Sequence, residues 1–235
     1  MKDLEQRQLE LLTHIVQEYI RSSHPVGSLY LAEHLPFSPA TIRNAMVLLE
    51  EAGYMIQPHT SAGRVPTPAA YRIYIQYIRP APTRKVQRDA LEEAWGQDRV
   101  AFQQRVKKLA RIVATSSGEI VFTAFDPATV ITTGIRNLSE KPEFENKLVV
   151  ADISTFVDGL DEYIHTLFER AGDGPTVLVG GDEGIPETCS VIVTKYAAGR
   201  YRGVIGIVGP LRMQYERNIS LLRAMKETIE ASTTQ

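Results

Sequence analysis

The chain has 235 residues, 43% of them hydrophobic, and a formal net charge of −2. That length predicts one or two domains with ample core, and the near balance of charge excludes a globally basic nucleic-acid binder. A single cysteine, Cys189, excludes an internal disulfide, and with no secretory signal or apolar run of membrane length the chain is expected to be cytoplasmic, with no membrane partner.

From Leu4 to Ile20, the apolar residues Leu4, Leu11, Leu12, Ile15, Val16 and Tyr19 recur on one helical stripe, with Glu5, Gln6, Glu10, Gln17 and Glu18 largely outside it. Pro25-Val26-Gly27-Ser28 breaks the chain and recaps it into a short helix through Leu35, and Pro36-Phe37 makes the next turn. Ser38 is an N-cap residue and Pro39 suits the first helical position, where its missing N–H costs nothing. In the helix they start, Ile42, Ala45, Met46 and Leu49 form a buried stripe at i, i+3, i+4, i+7. Ala40, Arg43, Asn44 and Val47 then face outward. A small Ala permits close approach to a duplex, while Arg and Asn pair bidentately with guanine and adenine edges. Recognition helices read bases with their N-terminal residues, where Thr41, Arg43 and Asn44 sit.

Gly53 stops this helix, and Tyr54 to Gln57 predicts a short strand that Pro58 terminates. Thr60-Ser61-Ala62-Gly63 supplies hydroxyls and a flexible glycine for a hairpin tip, with Arg64-Val65 starting the return strand and His59 on the flank. Three helices and a hairpin within about eighty residues predict a winged helix-turn-helix. Ser38, Thr60, Ser61, Arg64, Thr67 and Arg72 are then expected to hold phosphates, with His59 a phosphate or base contact. Between Glu51 and Asp89 no acidic residue occurs, while Arg64, Arg72, Arg79, Arg84, Lys85 and Arg88 do. Six cations alone describe an ordinary solvated face. Joined to Arg43 and Asn44 they supply the local field that phosphate binding needs.

Ala69 to Ile78 predicts a closing helix with Tyr71, Tyr74, Ile75 and Ile78 inward; Tyr71 and Arg72 could alternatively touch the DNA backbone. Arg79-Pro80-Ala81-Pro82-Thr83 marks a boundary. Arg84 to Ser116 is helical in composition with a break at Gly96, and its stripe of Val106, Leu109, Ala110 and Val113 suits either its own domain or a second copy. Strands are expected at 120–125, 130–133, 176–179, 190–196 and 202–208, with helix over most of 144–170 and again from Met213 to Ala231. The order predicts an α+β protein: a winged helix-turn-helix at 1–80, a helical linker at 81–116, and an α+β domain with a mainly antiparallel sheet at 117–235.

Other constellations compete. Gly180-Gly181-Asp182-Glu183 resembles the start of the metal-holding signature of cyclic-dinucleotide cyclases, but a polar turn after a strand explains it better. The glycines of 202–210 lack the order and setting of a phosphate cradle. Asp152, Asp158, Asp161 and Glu162 fit a solvated helix face better than paired catalytic acids. The histidines lack zinc spacing, and Cys189 reads as a packing residue. No catalysis, metal or cofactor is expected.

The N-terminal motifs resemble the HrcA family of heat-inducible transcription repressors in Pro25-Val26-Gly27-Ser28, Ser38-Pro-Ala-Thr-Ile-Arg-Asn44, Leu49-Glu50, Gly53-Tyr54, Gln57-Pro-His-Thr-Ser-Ala-Gly-Arg-Val-Pro-Thr67 and Tyr71-Arg72. A second match is Gly134-Ile-Arg-Asn-Leu-Ser-Glu-Lys-Pro-Glu-Phe144, and a third joins Cys189-Ser190 to the segment from Gly203 to Tyr215. The resemblance is weakest from Thr83 to Val130. It implies a GAF-like fold for the C-terminal domain, a homodimer on an inverted-repeat operator in double-stranded DNA upstream of chaperone genes, and the chaperonin as co-regulator. Full-length members carry an inserted dimerisation region to which no segment here clearly corresponds. A metabolite-responsive winged-helix regulator, with a small molecule in the GAF-like domain, is the alternative.

Overall fold

The computed structural model describes residues 4–96 and 101–231. They fall into two compact units, Met1–Ile78 and Arg79–Gln235.

In the first unit, α1 (Gln6–Ser22) opens with a capping box between Glu5 and Gln8 and ends on Ser23 in the left-handed region. Its stripe buries Leu11, Leu12, Ile15, Val16 and Ile20. Next come α2 (Ser28–His34), α3 (Pro39–Glu51), β1 (Met55–Ile56), β2 (Val65–Pro66) and α4 (Pro68–Tyr77). Met55 pairs with Pro66 and Ile56 with Val65, antiparallel, so the expected strand at 54–57 forms only at its centre. Pro58 and the hydroxyl-rich loop end it there. A single bridge between Val26 and Arg64 adds a third line to this ribbon. Tyr71 and Tyr74 are buried as expected, but Ile73 rather than Ile75 completes the inner face of α4.

The second unit opens with α5 (Lys85–Gly96) and α6 (Phe102–Ser117). Residues 97–100, inside the span expected to be helical, lie outside the described residues. Then follow β3 (Ile120–Asp126), β4 (Thr129–Thr133), α7 (Ile135–Leu138), a 3-10 turn at Pro142–Glu145, α8 (Lys147–Asp158), α9 (Leu160–Arg170), β5 (Thr176–Val179), a second 3-10 turn at Asp182–Gly184, β6 (Cys189–Ala198), β7 (Tyr201–Pro210) and α10 (Tyr215–Ala231). The sheet order is β4-β3-β7-β6-β5, antiparallel at every step. The α+β class and antiparallel sheet thus stand.

The three central strands, β3, β7 and β6, are largely buried on both faces. Ile120, Phe122, Ala124, Val191, Val193, Val204 and Val208 pack with Ile153 and Phe156 of α8 and Ile164 and Leu167 of α9. Opposite them lie α6 and α10, which pack on β3 and β6, with α5 against both helices. Each large side chain buried in this way contributes about 1.5–3 kcal/mol. The β7 glycines serve packing. A Cβ on Gly206 would lie 2.3 Å from the Phe122 ring, and one on Gly209 2.3 Å from the Glu119 carboxylate.

Candidate nucleic-acid interface

Helix α3 begins as its sequence dictates. Ser38 Oγ accepts from the Thr41 N–H at 3.2 Å and lies 2.8 Å from Thr41 Oγ1, while Pro39 fills the first turn. Ile42, Met46 and Leu49 are buried, which fixes the rotation of the helix. Ala40, Arg43, Asn44 and Val47 are exposed on the other side, the set that the phasing places outward. Thr41 is half-buried beside Ser38, and Leu48 joins the exposed set at 52%.

The wing is organised by a residue that the sequence did not single out as functional. Gln57 Nε2 donates to the carbonyls of Thr60 at 2.9 Å and Ala62 at 3.0 Å, and the Ala62 N–H donates to the His59 carbonyl. This fold-back presents His59, Thr60 and Ser61 to solvent at the tip. At the base, Val26 and Arg64 exchange two backbone hydrogen bonds of 2.9 Å, and Gly63 runs so close to Val26 that a Cβ would lie 2.3 Å from its carbonyl oxygen. An open groove of about 490 Å³ separates α3 from the wing, with Leu29, Arg43, Val47, Gln57, Thr60 and Arg64 on its walls.

The remaining candidates divide. Arg64 is clasped: its Nη2 lies 2.9 Å from Glu50 Oε2 and its side chain is only 11% exposed. Thr67 Oγ1 donates to the Gly53 carbonyl at 2.8 Å, which ties the end of the wing to the end of α3. Arg72 is half-buried. Tyr71, at 1% exposure, is a core residue, so its inward placement is the one the structure supports and a backbone contact through it is sterically closed. Glu50, Gln57 and Gly63 are the additions. A Gln before a hydroxyl-rich tip was the available signal for Gln57; Glu50 stands in the matched pair Leu49-Glu50, but its contact with Arg64 emerges only in the fold.

The competing constellations resolve into structure. Asp182 Oδ2 accepts from the Val179 N–H at 2.9 Å, and Glu183 pairs with Arg170, so the Gly180-to-Glu183 motif is a braced turn. Among the described residues no group of three His, Cys, Asp or Glu could hold a metal ion. Asp152 accepts from Thr188 Oγ1 at 2.7 Å, and Asp158, Asp161 and Glu162 are exposed. Burial pushes the Cys189 thiol up to about 12, which disfavours the thiolate a nucleophile needs. No described helix is long and apolar enough to cross a membrane.

In the second unit the two C-terminal motif segments meet. Lys141 Nζ lies 2.5 Å from Oε1 of the buried Glu119, Glu143 pairs with Arg212, and Asn137 Nδ2 donates to the carbonyls of Ala114 at 2.8 Å and Glu119 at 3.1 Å. Glu119 is raised to about 7, mainly by burial, with Lys141 pulling the other way.

A capped recognition helix, a partner helix and a braced ribbon define a winged helix-turn-helix DNA-binding domain, here followed by an α+β domain. Residues 3–77 match the family model described as the winged helix-turn-helix transcription repressor, HrcA DNA-binding, and residues 78–219 match the HrcA protein C terminal domain. The chain belongs to the HrcA family of heat-inducible transcription repressors.

Among its relatives, the heat-inducible transcription repressor HrcA of Halalkalibacterium halodurans is 25% identical over 332 residues, covering 96% of each chain. Since that alignment is longer than the 235 residues present, a sizeable stretch of the relative has no counterpart here. The HrcA repressor of Thermobifida fusca is 35% identical over 71% of this chain and 51% of its own. That of Acidothermus cellulolyticus reaches 51% identity over 77 residues, 32% of this chain and 23% of its own. A crystal structure described as a hypothetical protein at 2.2 Å resolution shares the fold, with a TM-score of 0.75 at 21% identity over 98% of this chain and all of that one.

Proposed function

We propose that this protein represses chaperone genes by binding an inverted-repeat operator as a homodimer, with α3 of each copy in a major groove. The observation that carries the reading is the exposed row Ala40, Arg43, Asn44 and Val47 on a helix whose rotation the core fixes and whose start Ser38 caps. Arg43 and Asn44 read bases, and Ala40 lets the helix approach. Ser38 and Thr41 sit where the first turn of α3 meets the backbone. Thr60, Ser61 and His59 carry the wing tip to phosphates or the minor groove, and Arg72 adds a further phosphate contact. Arg64 and Thr67 hold the wing in place through Glu50 and Gly53. Family membership supports heat-inducible control of the repressor's targets. The chaperonin as co-regulator and a cytoplasmic location belong to the same proposal.

The test is nuclease protection on DNA from upstream of the source organism's chaperone genes. Two protected half-sites related by inversion, centred an integral number of helical turns apart, are expected. Protection of a single, asymmetric site would overturn the two-copy arrangement.

A further inference from the structure

Helix α3 carries four exposed side chains on one face, and the reading above assigns roles to three of them. Ala40, Arg43, Asn44 and Val47 follow one another at steps of three, one and three residues, which keeps them in a single row. The same steps separate the base-contacting residues of a homeodomain's recognition helix. Val47 is the fourth place in that row, one turn beyond Arg43. Its exposure of 39% follows from the rotation of the helix, since Met46 and Leu49 nearby are exposed by only 3% and 0%. Val47 also lines the open groove between α3 and the wing, as does Leu29 in the first turn of α2, which is 69% exposed. Two large apolar side chains thus face a space whose other walls include Arg43, Gln57 and Thr60.

We propose that Val47 reads a thymine, its methyl groups packing on the C5-methyl in the major groove, and so sets one base pair of each half-site beside those read by Arg43 and Asn44. The inference rests on the operator reading above and adds a specificity-determining residue to it.

Chemistry chooses the occupant. A valine side chain has no donor or acceptor, so it is blind to the hydrogen-bonding patterns of the base edges. The one apolar group that a major groove displays is the thymine methyl. Cytosine at the same place would bring its N4 amine against a side chain that cannot accept, and a donor buried without a partner is costly. Thymine gains instead, because burying one methyl-sized group is worth about fourfold in affinity. Position agrees with chemistry. Val47 lies four residues after Arg43 and three after Asn44, the spacings at which helical side chains are neighbours, so the three reach adjoining base pairs. Leu29 is the competing apolar reader, but it rises from α2 and not from this row.

The experiment uses the full chain and duplexes that it enriches from a randomised pool. These are resynthesised with deoxyuridine in place of thymidine, one position of each half-site at a time. Deoxyuridine keeps every hydrogen-bonding group of thymidine and lacks only the methyl. At a single position wild type should lose about fourfold in affinity per substituted half-site. Val47→Ala should bind the two duplexes equally there, at a thermal midpoint near wild type. Val47→Thr, which keeps one methyl, should retain part of the preference, and Leu29→Ala all of it. Three results overturn the contact while base reading by Arg43 and Asn44 stands: no position at which deoxyuridine weakens wild type, a penalty that Val47→Ala keeps in full, or a penalty that Leu29→Ala abolishes in its place. A wild type that enriches no sequence overturns both readings.

Discussion

Arg64 Nη2 lies 2.9 Å from Glu50 Oε2, so the residue that starts the wing's return strand is clasped to the last turn of α3. The Val26 bridge holds the backbone of Arg64, and Glu50 holds its side chain. The wing is thereby fixed relative to the residues that face the groove, and a cation expected at phosphate acts first as a brace.

Glu50→Gln and Arg64→Ala are accordingly expected to act alike. Each should cost about 1–2 kcal/mol of stability in the first unit, between the values for exposed and buried pairs. Each should also weaken DNA binding while leaving the slope of log affinity against log salt nearly unchanged. A slope lowered by about one in Arg64→Ala alone would instead assign Arg64 to a phosphate. Titrations at several salt concentrations decide between the two roles.

Gly63→Ala tests the base of the wing. Its Cβ would fall 2.3 Å from the Val26 carbonyl oxygen, so the bridge must open. Overpacking of this kind costs about 1–3 kcal/mol. A fall in the thermal midpoint, with loss of hydrogen-exchange protection at the Val26 and Arg64 amides, is expected; a wild-type midpoint would show that the loop yields freely.

Ser38→Ala removes the side chain that accepts from the Thr41 N–H. Loss of such a cap costs about 1 kcal/mol, whereas Ser38→Asp should retain most of it. Denaturant midpoints of the two variants provide the comparison. On DNA the order differs, since the carboxylate that Ser38→Asp introduces would sit near phosphate and weaken binding despite the intact cap.

Glu119 gives the second unit a pH signature. Burial raises its folded-state value to about 7, above the ordinary 4.5, so between these values the folded state holds the proton more tightly than the unfolded chain. The stability this contributes is complete below about 4.5 and is lost as pH rises through about 7, up to about 3 kcal/mol in all. The one tryptophan of the chain, Trp95 in α5, reports unfolding of this unit. Glu119→Gln should flatten the pH dependence across that window, and an unchanged slope would mean that Glu119 stays ionised throughout.

Local signals in the sequence carried the helices. Ser38, Pro39 and the spacing of Ile42, Met46 and Leu49 suffice to place α3 and its outward face, because capping and 3.6-residue periodicity act within a few residues. The sheet strands were legible for the same reason, as short β-branched runs between turns. Pairings that need the finished fold were not. Glu50 meets Arg64 only after the ribbon turns back, Lys141 meets Glu119 only after β4 and α7 reverse the chain, and Thr67 reaches Gly53 across the whole wing. Tyr71 was ambiguous because an aromatic at the start of a helix suits core or backbone contact equally, and only its burial decides.

The central claim is that the exposed Arg43 and Asn44 read the operator. Quantitative footprinting of wild type and of Arg43→Ala/Asn44→Ala, on an operator and on the same DNA with altered half-sites, tests it most directly. The double variant is expected to lose discrimination by roughly 1–3 kcal/mol for each bidentate contact removed, with non-specific affinity at matched salt largely kept. A double variant that protects the same operator as strongly and as selectively as wild type would contradict it.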